Sequence, residues 1–146
     1  VISIPVMYQS PYMYEVNRQV TEEQVVGHEI LFEHEMDGTD VTSLRQGPYR
    51  AYHVIYGVST TTDRANAMQY DGGVPFDGLS TLQSSFDSDH YVTLTGSDEQ
   101  REAGVFRGLR FDDDEFASLD WQTDVHRVTS NGEFRSYLVD KGGSAQ

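Results

Sequence analysis

A chain of 146 residues is long enough for one domain with a buried core and short for two. Aspartate and glutamate number 24 against 10 lysines and arginines, for a net charge of −14; this argues against free nucleic acid as a partner, because backbone binding needs clustered cations. The absence of cysteine excludes disulfides and thiolate metal sites, and no apolar run reaches the ~18 residues of a membrane span.

In chain order, the opening VISIPVMYQSP has neither a basic nor a long apolar region, so it does not read as a secretion signal. Ile2, Ile4, Val6 and Tyr8 alternate with polar or smaller neighbours and predict a first strand. Pro5 confines that strand to an edge or to exchange with a neighbouring copy. Tyr12, Tyr14 and Val16 predict a second strand, ending near Val20. From Gln24 to Met36 one face reads Val26, His28, Ile30, Phe32, His34, Met36, while the other is mostly acidic. That period of two predicts a long strand. Asp37-Gly38 suits a tight hairpin turn, with Thr39 to Leu44 as the return strand, and Gln46-Gly47-Pro48 reads as another turn. Between Tyr49 and Thr60 both faces are apolar or aromatic, which predicts a central strand.

Residues 61–88 change character: Gly72, Gly73, Pro75 and Gly78 crowd together, with apolar residues set among them. A long irregular excursion in a compact domain is usually functional. Its apolar members Tyr70, Val74, Phe76, Leu79 and Phe86 form a candidate interface that wants covering by the domain or by another chain. Strands resume at His90 to Thr95 and, more weakly, at Val105 to Phe111, separated by a polar turn at Ser97 to Glu102. The DDDEFASLDW stretch reads as a short helix with acids at its positive end. The chain then closes on a hairpin, Trp121 to Thr129 and Phe134 to Val139, around Asn131-Gly132. Together these elements predict an all-β fold, with residues 1–146 as one domain. Its form would be a two-sheet antiparallel β-sandwich or jelly roll of about eight or nine strands, with the 61–88 excursion and one or two short helical turns. A βαβ plan does not fit, since no long amphipathic helix recurs.

The chemistry-bearing residues are sparse. His28 and His34 share a strand face but would stand ~20 Å apart at ~3.3 Å per residue, and on a helix their rings would point to different sides. One ion cannot take both. The H-x-H pair of the metal-binding cupin barrels is absent, so that resemblance fails. Asp112, Asp113 and Asp114 could hold a hard cation through oxygen ligands, although EF-hand spacing is missing. There is no G-x-S-x-G elbow, P-loop or dinucleotide fingerprint. The chain therefore reads as a non-enzyme, with no cofactor predicted. Nine tyrosines and one tryptophan exceed what a small core needs, and such residues favour interfaces or sugar-stacking platforms.

The acid excess beside a single lysine, Lys141, resembles the composition of proteins from salt-in halophiles, such as haloarchaea and their viruses. That resemblance, with the sandwich patterning and the apolar arm, implies a self-assembling structural protein. It would be a virion component, either a jelly-roll capsid or penton subunit or a tail-tube β-sandwich, assembled in a high-salt cytoplasm. Its partners would be copies of itself and other virion proteins. Two competitors stand beside it: a carbohydrate- or receptor-binding module using exposed Tyr and Trp towards a glycan or host receptor, and a small metal-dependent β-barrel enzyme.

Overall fold

The computed structural model describes residues 21–36, 38–44, 48–57, 74 and 78–142. Helix α1 spans Glu22–His34. Thr21 caps it by accepting a hydrogen bond from the Gln24 backbone N–H at 3.3 Å, and Glu22 and Glu23 sit in the first turn, where the helix dipole favours acids. The residues it buries are Gln24, Gly27, His28, Leu31 and Phe32, which follow helical spacing. Val26 and Ile30, which share the predicted strand face with His28 and Phe32, are 40% exposed.

Strand β1 (Asp40–Ser43) is followed by helix α2 (Pro48–Tyr56). A 3₁₀ turn at Leu79–Thr81 runs into the single-turn helix α3 (Leu82–Ser85), and β2 is His90–Thr95. Helix α4 (Gly96–Gly104) starts from a reciprocal capping box. Thr95 Oγ1 accepts from the Asp98 N–H, and the Asp98 carboxylate accepts from the Thr95 N–H at 3.0 Å. Helix α5 (Asp113–Ser118) and the hairpin of β3 (Val125–Ser130) and β4 (Phe134–Val139) complete the order.

The four strands form one mixed sheet in the order β1-β2-β4-β3. β1 and β2 are parallel, with Asp40 opposite His90, while β2–β4 and β3–β4 are antiparallel. A parallel pair cannot be closed by a hairpin, and the connection from β1 to β2 carries α2 and α3. β2 is buried along its whole length. Its side chains alternate between two cores, as the pleat requires. Val92 and Leu94 join Leu79, Leu82, Phe111, Phe116, Leu119, Tyr137 and Val139 on one face. Tyr91 joins Val41, Phe134 and Leu31 of α1 on the other. Helical segments thus cover both sides of the sheet.

This overturns the all-β β-sandwich or jelly roll of eight or nine strands. Among the described residues there are five helices and four strands in a single sheet. The predicted strand from Gln24 to Met36 is α1, the described part of Tyr49 to Thr60 is mostly α2, and the polar turn Ser97 to Glu102 lies within α4. The rejected βαβ plan is the nearer description of β1 to β2. Val105 to Phe111 is an irregular loop, with Arg107 at φ 52° and Gly108 at φ 70°. It wraps a buried ion pair in which Arg110 Nε donates to Glu102 Oε2 at 3.1 Å, Glu102 being fully buried. Strands are found within Thr39 to Leu44, at His90 to Thr95 and in the closing hairpin, whose first strand begins at Val125, as is the short helix after Asp112. β1 is not the return strand of a hairpin, because the segment before it is helix α1 and β1 pairs in parallel with β2. The two strands expected before Val20 lie outside the described residues, as does most of 61–88.

Candidate binding groove

Past the end of α5 the chain turns through Asp120 and Trp121, the Trp121 N–H donating to the Ser118 carbonyl at 3.0 Å. Three ties hold this turn. Gln122 Nε2 donates to the Leu79 carbonyl at 2.6 Å and to Ser118 Oγ at 3.2 Å. Arg127 of β3 pairs with the Asp120 carboxylate. The Asp140 N–H, just past β4, donates to the Asp124 carbonyl at 2.8 Å.

The opposite wall is the 3₁₀ turn and α3, fastened from beneath by Leu79 and Leu82 in the large core. Gln83 Nε2 donates to the Asp140 carbonyl at 3.2 Å. Lys141, the sole lysine, donates from Nζ to the Gln83 carbonyl at 2.7 Å, while its backbone N–H meets Asp89 Oδ1 at 2.8 Å. Between the walls lies an open groove of about 440 Å³. Ser80, Thr81, Gln83 and Ser84 line one side; Trp121, Gln122, Thr123 and Asp124 line the other. Trp121 is 82% exposed. Behind the turn, Tyr137 is fully buried, and burial pushes its phenol above the usual range; Asp120 adds to the rise, whereas Arg135 and Arg127 oppose it. The Asp120 hydrogen bond chiefly raises the Arg127 guanidinium in turn.

The sequence-predicted residues fall elsewhere. Asp112 is the N-cap of α5: its Oδ1 accepts from the Glu115 N–H at 2.9 Å, and Glu115 Oε2 accepts from the Asp112 N–H at 3.2 Å. Asp113 and Asp114 point into solvent in the first turn. Among the described residues no three histidine or acidic side chains converge as a metal-holding group. Of the candidate interface, Tyr70 and Phe76 lie outside the described residues. Val74 and Leu79 are buried in this chain's own core. Phe86 packs against that core and stacks on His90, with centroids 4.1 Å apart and planes 6° from parallel.

The two histidines of α1 are separated by their helix. His28 is buried and its Nδ1 bonds the Gln24 carbonyl at 2.7 Å, whereas the exposed His34 bonds the Ile30 carbonyl at 2.9 Å. Of the aromatic set, Tyr49 and Tyr52 pack against Phe32 and Ala51 between α1 and α2, and Tyr91 is core. Among the described members of the set, Tyr56 is 44% exposed and Trp121, at 82%, is the most exposed. Its groove partners escaped the sequence reading because serine, threonine and glutamine in short polar stretches carry no spacing signal; only the fold brings 80–84 beside 121–124.

No family model, curated protein or solved structure matched this chain, so the functional argument rests on the geometry. Among the described residues no helix is long and apolar enough to cross a membrane.

Proposed function

We propose that this protein works by recognition, as a non-catalytic binding domain whose working surface is the Trp121 groove. The observation that supports it best is an indole 82% exposed on the rim of a groove with hydroxyl and amide walls. An aromatic side chain that can bury ~150–250 Å² forgoes a few kcal/mol in water at ~25 cal/mol per Å². Trp and Tyr placed this way are the usual anchors of binding sites. The hydrogen bonds around Gln122, Gln83 and Lys141 hold both walls in place before any ligand arrives, which lowers the ordering cost of binding. The test is an array carrying glycans, peptides and small metabolites, probed with labelled protein. Wild type should retain at least one class, and Trp121→Ala should lose it by roughly tenfold or more. Binding that survives this substitution undiminished places the working surface elsewhere.

A second reading keeps the self-associating virion subunit, now on a mixed sheet. It is favoured by β3, which among the described residues pairs only with β4 and is largely exposed, with Val128 at 52% beside a bulge. An open edge strand is a template for a second copy. At −14 per chain, such pairing needs screening by salt. Light scattering should then show oligomers in multimolar salt and monomers in dilute buffer; a monomer in both removes this reading.

A further inference from the structure

We infer that the Trp121 groove takes a neutral pyranose, a ligand rich in hydroxyl donors with one flat C–H face; this rests on the recognition reading above. The walls set the donor and acceptor balance. Gln122 commits its amide nitrogen to Leu79 and Ser118, and Gln83 commits its own to Asp140. That leaves Gln122 only its carbonyl oxygen to offer, and Gln83 its carbonyl oxygen and one N–H. Thr123 Oγ1 donates to Asp124 Oδ2 at 3.2 Å, so the second carboxylate oxygen of Asp124 is again an acceptor. The groove is thus weighted towards acceptors held on a fixed frame, with one Gln83 N–H and the wall hydroxyls as donors, and its ligand has to bring most of the donors.

Charge and shape narrow the choice. Among the described residues Asp124 is the one charged residue of the lining, and the whole chain carries −14, so an anion is repelled. A cation would be a donor too. It would find one aromatic face and one carboxylate in an open groove, where it keeps most of its hydration, and cation–π attraction is weakest at exposed sites. The remaining lining is neutral, hydroxyl or amide, and suits hydroxyls arranged around a ring. The exposed indole supplies the apolar plane on which the C–H face of such a ring can lie. The volume of about 440 Å³ falls within the ~300–1,000 Å³ of small-ligand sites, enough for one or two rings.

Trp121 is the only tryptophan among nine tyrosines, so fluorescence excited where only the indole absorbs reports on this groove. The experiment titrates wild type with the methyl glycosides of glucose, galactose, mannose and N-acetylglucosamine, with spermidine and inorganic phosphate as cationic and anionic probes. At least one glycoside should give a saturable blue shift. By calorimetry, the same glycoside should bind Trp121→Phe measurably and bind Trp121→Ala and Gln122→Leu roughly tenfold or more weakly, with unchanged circular dichroism. A saturable response to spermidine alone overturns the pyranose and leaves the groove as a recognition site. Array binding that depends on Trp121, without any glycoside response, does the same. Silence towards every probe, together with arrays indifferent to Trp121→Ala, removes both. Glycoside binding undiminished in Trp121→Ala also overturns the proposal.

Discussion

On one face of the sheet, Val92, Leu94, Tyr137 and Val139 meet Leu79, Leu82, Phe111, Phe116 and Leu119, an almost wholly apolar layer. On the other, α1 lays Gln24, Gly27 and His28 beside Leu31 and Phe32, against Phe134 and Tyr91. The first face is held by bulk burial. The second is held by close approach: a Cβ built on Gly27 runs into the Phe134 ring, so the backbone of α1 sits where only glycine fits. Their histidines differ as well. His90 bonds the Thr42 hydroxyl and stacks on Phe86. His28 packs against Phe134 with ring centroids 4.5 Å apart and planes tilted by 53°, and among the described residues its buried Nε2 has no hydrogen-bond partner. One face is therefore stabilised by area, which is insensitive to pH, and the other by fit around a neutral imidazole. The groove is built on the first face, through Leu79 and Leu82.

The largest effect expected from breaking this contrast is at Phe111, 1% exposed in the apolar layer. Phe111→Ala should cost about 3–5 kcal/mol by lost burial and the cavity left behind. Gly27→Ala should cost less, about 1–3 kcal/mol for overpacking, offset in part by the ~1 kcal/mol by which alanine is the better helix former. Urea unfolding of both variants checks the pair. A Gly27→Ala loss equal to that of Phe111→Ala would make the α1 face the stricter one and reverse the comparison.

A smaller effect sharpens the difference in the histidines. Burial holds the His28 pKa below 6.5, opposed by the hydrogen bond to Gln24. The folded chain keeps this ring neutral, while the unfolded chain protonates it below about pH 6.5. The contribution of His28 is therefore fully present above that pH and is lost as pH falls through the lowered folded value. Unfolding midpoints measured from about pH 8 to about pH 5 should fall towards acid, and His28→Gln should flatten part of that fall. An unchanged slope in His28→Gln would show that the imidazole is not what makes this face acid-sensitive.

Some of this was legible in the chain and some was misread although the signals were there. Asn131-Gly132 specifies its own turn, with Gly132 at φ 87°, and the hairpin followed. Pro48 opens α2 and Gly57, at φ 94°, closes it, its N–H donating to the His53 carbonyl at 3.0 Å. Proline at the first helical position and glycine just past the last is a helix signature, here outweighed by the alternating tyrosines. The T-x-x-Q start of α1 and the D-x-x-E start of α5 are likewise cap patterns; the second stretch reads as a helix from its acids at the positive end, and neither was read as a cap. For the groove, Trp121 was visible as a candidate platform, but nothing marked Gln83 or Gln122.

By itself the sequence determined the Asn131-Gly132 hairpin and the charge and carried the cap patterns, because each depends on a few neighbouring residues or on composition. Tertiary structure decided whether 22–34 is strand or helix, since a buried stripe made of Gln24, Gly27, His28, Leu31 and Phe32 leaves the apolar periodicity ambiguous until Phe134 is packed against it. It also decided the parallel pairing of β1 with β2 and the meeting of 80–84 with 121–124. Those are contacts between segments distant in the chain, and their free energy comes from burial and hydrogen bonds that no local window contains.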